Sequence, residues 1–159
     1  MRITDNLKND IKDAPKWFHE SLNIIPEELL IKNDRGDLSY ARWSSTKEND
    51  NLLIFIHGTG AHKKWWYPIA PQFINDTNVI AVDLPGMGDS GFREKYSIKD
   101  FGECIISIIE TEQRNNNISN ISIIGHSLGG QVGAYVASEK KELVNSLITV
   151  SYTHLTLPT

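Results

Sequence analysis

The chain has 159 residues, sixteen Lys and Arg against twenty Asp and Glu, and a formal net charge of −4. With no basic excess to hold a phosphate backbone, nucleic acid is not an expected partner, and the single cysteine, Cys104, cannot close an internal disulfide. No apolar run approaches the roughly 18 residues of a membrane span, and the polar opening MRITDNLKNDIKDAPK lacks a signal-peptide core, so the expectation is a cytoplasmic protein with no membrane partner.

In chain order, Leu29–Lys32 and Leu38–Trp43 flank the turn formers Asn33-Asp34-Arg35-Gly36 and predict an antiparallel ribbon. Four short β-branched runs follow: Leu52–Ile56, Val79–Val82, Ile121–Ile124 and Leu147–Val150. They are nearly continuous rather than alternating, as strands buried on both faces of a parallel sheet are. The segments between them are long enough for helical crossovers. Between Trp65 and Asn75, Pro68 and Pro71 predict a short or kinked helix. A longer helix begins at Ser97, with Asp100 placed for a capping-box start, and carries Ile98, Phe101, Ile105, Ile108 and Ile109 as one apolar stripe. It is expected to end before Asn115-Asn116-Asn117. A last helix is predicted from about Ser127 to Lys140. The pattern is α/β: one open, mostly parallel sheet with helices on both faces.

The sharpest chemical signal is Gly125-His126-Ser127-Leu128-Gly129-Gly130, directly after the run ISII and directly before a helix. G-x-S-x-G in that setting is a nucleophile elbow. Ser127 must sit on a strained turn with its hydroxyl above the carboxyl edge of the sheet, and the crowding there calls for Gly125 and Gly129. The first N–H groups of the following helix have no intrahelical partner and lie at its positive end, which aims Leu128 N–H at an oxyanion. Independently, His57-Gly58-Thr59-Gly60 follows the run LLIFI, and by position Thr59 N–H is the second donor. A third segment, Asp83-Leu84-Pro85-Gly86-Met87-Gly88-Asp89-Ser90-Gly91, reads as a tight turn in which Asp83 and Asp89 order the loop rather than catalyse.

These three segments, in this order on successive strands, resemble the α/β-hydrolase superfamily in its serine-nucleophile branch. The likeness extends from about Trp17 to Val150, with Pro15-Lys16-Trp17-Phe18 and Tyr40-Ala41-Arg42-Trp43 fitting the lead-in. The resemblance implies a cofactor-free serine hydrolase acting on a small-molecule acyl substrate. In it Ser127 is the nucleophile, Leu128 and Thr59 N–H line the oxyanion hole, and His57, Gly58, Gly125, His126 and Gly129 support the motifs. It also implies a histidine base and an acid that would lie beyond residue 150, leaving the domain truncated after about the sixth strand. The decapeptide Val150–Thr159, VSYTHLTLPT, resembles a translated sequencing adaptor. Residues 1–149 are therefore read as the N-terminal part of a single domain, and His154 is set aside. A non-catalytic ligand-binding protein, a carbon–carbon bond hydrolase and an aminopeptidase-like amidase are alternatives on the same fold.

Among the remaining side chains, His19 has no motif and His62 sits near the pocket mouth. One of Trp65 and Trp66 is expected in the core and the other against the pocket. Lys63 and Lys64 are read as solvated, and Cys104 as a small buried residue. No Cys/His spacing suggests a metal site.

Overall fold

The structure, a computed structural model, describes residues 11–151; the polar opening stretch before residue 11 and His154 lie outside them. Six strands form one sheet: β1 (Glu27–Ile31), β2 (Leu38–Trp43), β3 (Asn51–Ile56), β4 (Asn78–Val82), β5 (Asn120–His126) and β6 (Val144–Val150). Their spatial order is β1-β2-β4-β3-β5-β6. The ribbon β1–β2 is antiparallel, with Leu29 opposite Tyr40, and β2 joins β4 antiparallel. The pairs β4–β3, β3–β5 and β5–β6 are parallel. The expected sheet is thus present, and every predicted run forms a strand.

Helices α2 (Ile98–Asn116) and α3 (Leu128–Glu139) cover one face. The α2 stripe Phe101, Ile105, Ile108 and Ile109 packs with Ile54, Ile80, Ile121, Ile123, Val132 and Val136 in one core. Each such buried aliphatic contributes about 1.5–3 kcal/mol. Ser97 caps α2 by accepting a hydrogen bond from Asp100 N at 3.1 Å. The helix runs to Asn116, two residues past its expected end, because Asn116 Nδ2 bonds back to Glu112 Oε2 at 2.9 Å. Asn117 then stops it in the left-handed region at φ 51°.

On the other face the proline-broken segment forms two 3₁₀ turns, Lys63–Trp66 and Ala70–Phe73, over Phe55, Val79 and Ala81. The lead-in forms a short helix, α1 (Lys16–Leu22), whose Ser21 hydroxyl receives the Gln72 amide of the second turn. No apolar periodicity announced α1. Within α2, Glu112 is buried: it accepts from Tyr40 Oη at 2.9 Å and Arg42 Nε at 3.0 Å. Burial pushes the Tyr40 pKa up, so the phenol stays a donor.

Candidate active site

The loops after β3, β4 and β5 meet at the carboxyl edge of the parallel strands. Because β3 lies between β4 and β5, the chain leaves it in opposite directions, and in open α/β sheets such a switch point opens the ligand crevice. Ser127 occupies the tight turn between β5 and α3 at φ 50°, ψ −115°. A non-glycine residue there is strained, and strain of this kind persists only where the surroundings enforce it.

Those surroundings are backbone. A Cβ on Gly125 would fall 2.3 Å from Gly129 O, and one on Gly129 would fall 2.3 Å from Ile56 O and 2.7 Å from His57 O. The obstacle at Gly129 is therefore the end of β3, not the serine side chain that crowding at the elbow suggested. Ser127 N donates to Val150 O at 2.9 Å, a main-chain bond that ties the elbow to the end of β6. Ser127 O then accepts from Gly130 N at 2.9 Å to begin α3. Among the described residues, Leu128 N–H has no hydrogen-bond partner, as expected of the first turn of a helix. Ser127 Oγ likewise has none there.

The loop after β3 lies against the elbow. A Cβ on Gly58 would stand 3.3 Å from Ser127 Cβ and 2.7 Å from His126 Nδ1. Thr59 and Gly60 are exposed at the tip, and Thr59 N–H also has no partner among the described residues. His57 is fully buried, with Nδ1 2.8 Å from Gly58 O and Nε2 accepting from Leu84 N at 3.1 Å. That pair of bonds needs the neutral ring with its proton on Nδ1. Burial pushes the His57 pKa below the usual 6.5 and keeps the ring neutral. Both ring nitrogens are engaged in holding loops.

The His126 ring meets Trp65 edge to face at 4.8 Å, while Trp66 stacks on Phe55 at 4.7 Å in the core. Trp66 thus takes the core position expected of one of the pair, and Trp65 stands half exposed beside the elbow. His62 is exposed on the loop, and His19 lies away on α1. Cys104 is buried, which raises its thiol pKa and makes it a poor nucleophile. Among the described residues no group of three His, Cys, Asp or Glu is placed to hold a metal ion, and no helix is long and apolar enough to cross a membrane.

Lys63 corrects its solvated reading. It is fully buried, and its ammonium lies 2.8 Å from Ser39 Oγ, 2.8 Å from Asp83 Oδ2 and 2.7 Å from Asp89 Oδ2. Burial alone would lower its pKa, but the hydrogen bonds to Asp83 and Asp89 outweigh it, and the pKa is raised. The partner contact holds Asp89 below the usual carboxylate range. Lys64, by contrast, is partly exposed, 3.7 Å from Asp89. Nothing in the local pattern separates the two lysines; the pairing spans twenty residues of chain and depends on how β3 and β4 lie side by side.

The alpha/beta hydrolase fold family matches this sequence over residues 51–158. A pimeloyl-[acyl-carrier protein] methyl ester esterase of Neisseria meningitidis is 34% identical over 105 residues, covering 65% of this chain and 38% of that protein. An (E)-2-((N-methylformamido)methylene)succinate hydrolase of Acinetobacter baylyi is 29% identical over 129 residues, covering 80% of this chain and 46% of its own length. Among solved structures, a bacterial membrane phospholipase A superposes with a TM-score of 0.70 at 22% identity, over 96% of this chain and 47% of that one. The chain therefore spans less than half the length of each of these proteins.

Proposed function

The chain belongs to the alpha/beta hydrolase fold family, and from that premise we propose that it carries the nucleophile half of a serine hydrolase cleaving carboxylic esters or related acyl bonds. Ser127 Oγ attacks the carbonyl carbon, and the electron pair of the C=O bond moves to oxygen, where Leu128 and Thr59 N–H receive the oxyanion. A histidine takes the serine proton and returns it to the departing alkoxide, leaving an acyl-enzyme. Water, deprotonated by the same base, then releases the acid and restores Ser127. The base and its acid are assigned to sequence outside residues 1–149, in keeping with the longer relatives; the 150–159 segment is assigned to adaptor sequence.

The observation that carries this reading is Ser127 itself: a serine held at φ 50° at the head of α3, with glycines where any Cβ would strike backbone. The ester-cleaving relative supports the acyl class, and the donor pair supports an oxyanion route.

The test uses the complete gene product, recovered by resequencing the source DNA past the Thr149 codon with a different library chemistry. Ser127→Ala is expected to abolish turnover of a short p-nitrophenyl ester, and labelling by a fluorophosphonate, while the circular dichroism spectrum is unchanged. Retained turnover in that variant would remove Ser127 from the reaction. The 159-residue chain alone is expected to be inactive and prone to associate through its uncovered apolar positions.

A further inference from the structure

Asp83 grips one residue twice. Its Oδ1 accepts from the Lys63 backbone N–H at 2.6 Å and its Oδ2 from the Lys63 ammonium at 2.8 Å. A carboxylate that holds both ends of one residue fixes where that residue lies and also how it is rotated. The next residue, Leu84, donates its N–H to His57 Nε2 at 3.1 Å. The β3 loop is therefore pinned to the β4 loop at His57, where it starts, and at Lys63, where it ends. Thr59 and Gly60 lie between the two pins, bridged by Ala61 N–H to Gly58 O at 3.2 Å.

The ammonium uses all three of its donors, on Ser39 Oγ, Asp83 Oδ2 and Asp89 Oδ2, with Glu28 Oε2 at 3.4 Å as a further carboxylate. It thereby joins β1, β2, the loop after β3 and the turn after β4 at one atom. Asp89 N–H closes the arrangement by donating to Asp83 Oδ2 at 2.9 Å. A buried ion pair is a poor source of net stability, because desolvating the charges offsets their attraction. What such a pair supplies is direction: hydrogen bonds fix angles that apolar contact leaves free. The loop it directs carries Thr59 N–H, a donor useful only when it points at the place where charge develops.

We propose that Lys63 is a positioning residue for the oxyanion donor: through Asp83 and Asp89 it fixes the orientation of the 57–63 loop and hence of Thr59 N–H. This inference rests on the serine-hydrolase reading for its catalytic consequence but not for its effect on the loop. Lys63 touches no reacting atom.

The experiment compares wild type, Lys63→Met, Ser39→Ala and Asp89→Asn in the complete gene product, by steady-state ester hydrolysis and by amide hydrogen exchange. Lys63→Met is expected to lower kcat at least tenfold while KM changes less than threefold, as loss of a transition-state interaction does. Exchange should accelerate at the loop's hydrogen-bonded amides, Ala61 and position 63, and stay unchanged in β3 and β5. Ser39→Ala removes one of the ammonium's three acceptors and Asp89→Asn replaces a charged acceptor with a neutral one, and a smaller fall in kcat with the same local loosening is expected. They carry the test if Lys63→Met does not fold. Unchanged kcat with unchanged loop exchange overturns the proposal. So does loosening shared by the loop and the sheet with kcat recovered on cooling, which marks a stability role only. If instead wild type resists fluorophosphonate, or Ser127→Ala keeps its turnover, the serine-hydrolase reading fails, and loop exchange alone decides whether Lys63 positions this segment.

Discussion

On one face of the sheet, α2 and α3 press an apolar stripe onto Ile54, Ile80 and Ile123 and leave these side chains without exposed surface. On the other face two 3₁₀ turns, the first carrying Trp66, cover Phe55 and Val79, while the outward positions of β6, Ile148 and Val150, stand 54% and 43% exposed. A concavity of about 650 Å³ on that second face is lined by Leu53, Phe73, Ile124, Ser146 and Ile148. It reaches Asn51, Asn120 and Asn145 near the strands' amino ends, away from the Ser127 edge. The faces differ in what holds them. The helical face is held mainly by area, which is non-directional, with the Glu112 bonds to Tyr40 and Arg42 added to it, and the loops of the candidate site are held by aimed polar contacts at His57, Lys63 and Asp83. Loops that must keep a set orientation gain more from the second kind of support.

The largest expected effect tests whether the helical face depends on the buried Arg42–Glu112 ion pair as well as on area. Glu112→Ala leaves Arg42 and the Tyr40 hydroxyl without their partner under α2 and should lower stability by about 3–5 kcal/mol, read by urea unfolding. A loss below about 1 kcal/mol would assign that face to apolar burial alone. Next, Ile54→Ala removes a fully buried side chain from the sealed core and should cost about 3 kcal/mol in the same assay.

A smaller effect probes the polar side through pH. The folded state keeps His57 neutral by burial, so its pKa lies below the unfolded value of 6.5 and the unfolded chain binds the proton more readily. The stability contributed is complete above 6.5 and declines as pH falls from there toward the depressed folded value. Urea midpoints taken at about pH 7.5 and 5.5 should therefore drop on the acid side, and His57→Gln should flatten that drop. An equal drop in the variant would place the titrating group elsewhere. The smallest effect is Ile148→Ala, expected to change the stability of this chain by no more than about 0.5 kcal/mol. A loss close to that of Ile54→Ala would show that the second face is as well covered as the first.

Local chemistry in the sequence determined much of this molecule. The β-branched runs became β3 to β6: β3 and β4 are buried on both faces, which leaves no room for alternation, whereas β5 alternates buried with half-buried positions and β6 is mostly exposed. The stripe beginning at Ile98 became α2 because its spacing matches a helical turn. The elbow was legible because its pattern is local, a serine two residues from glycine on each side between a strand and a helix, although what Gly129 must clear, the end of β3, is set by the sheet. Other features were decided only by the tertiary structure. α1 is short and gains its place by contact with the second 3₁₀ turn, so no periodicity marked it. Lys63 read as a solvated charge and no local pattern marked Glu112, since their partners Asp83 and Arg42 lie 20 and 70 positions away along the chain. A charge is buried or solvated according to what the fold sets beside it. That arrangement is a property of strand order, which composition and short-range pattern do not encode.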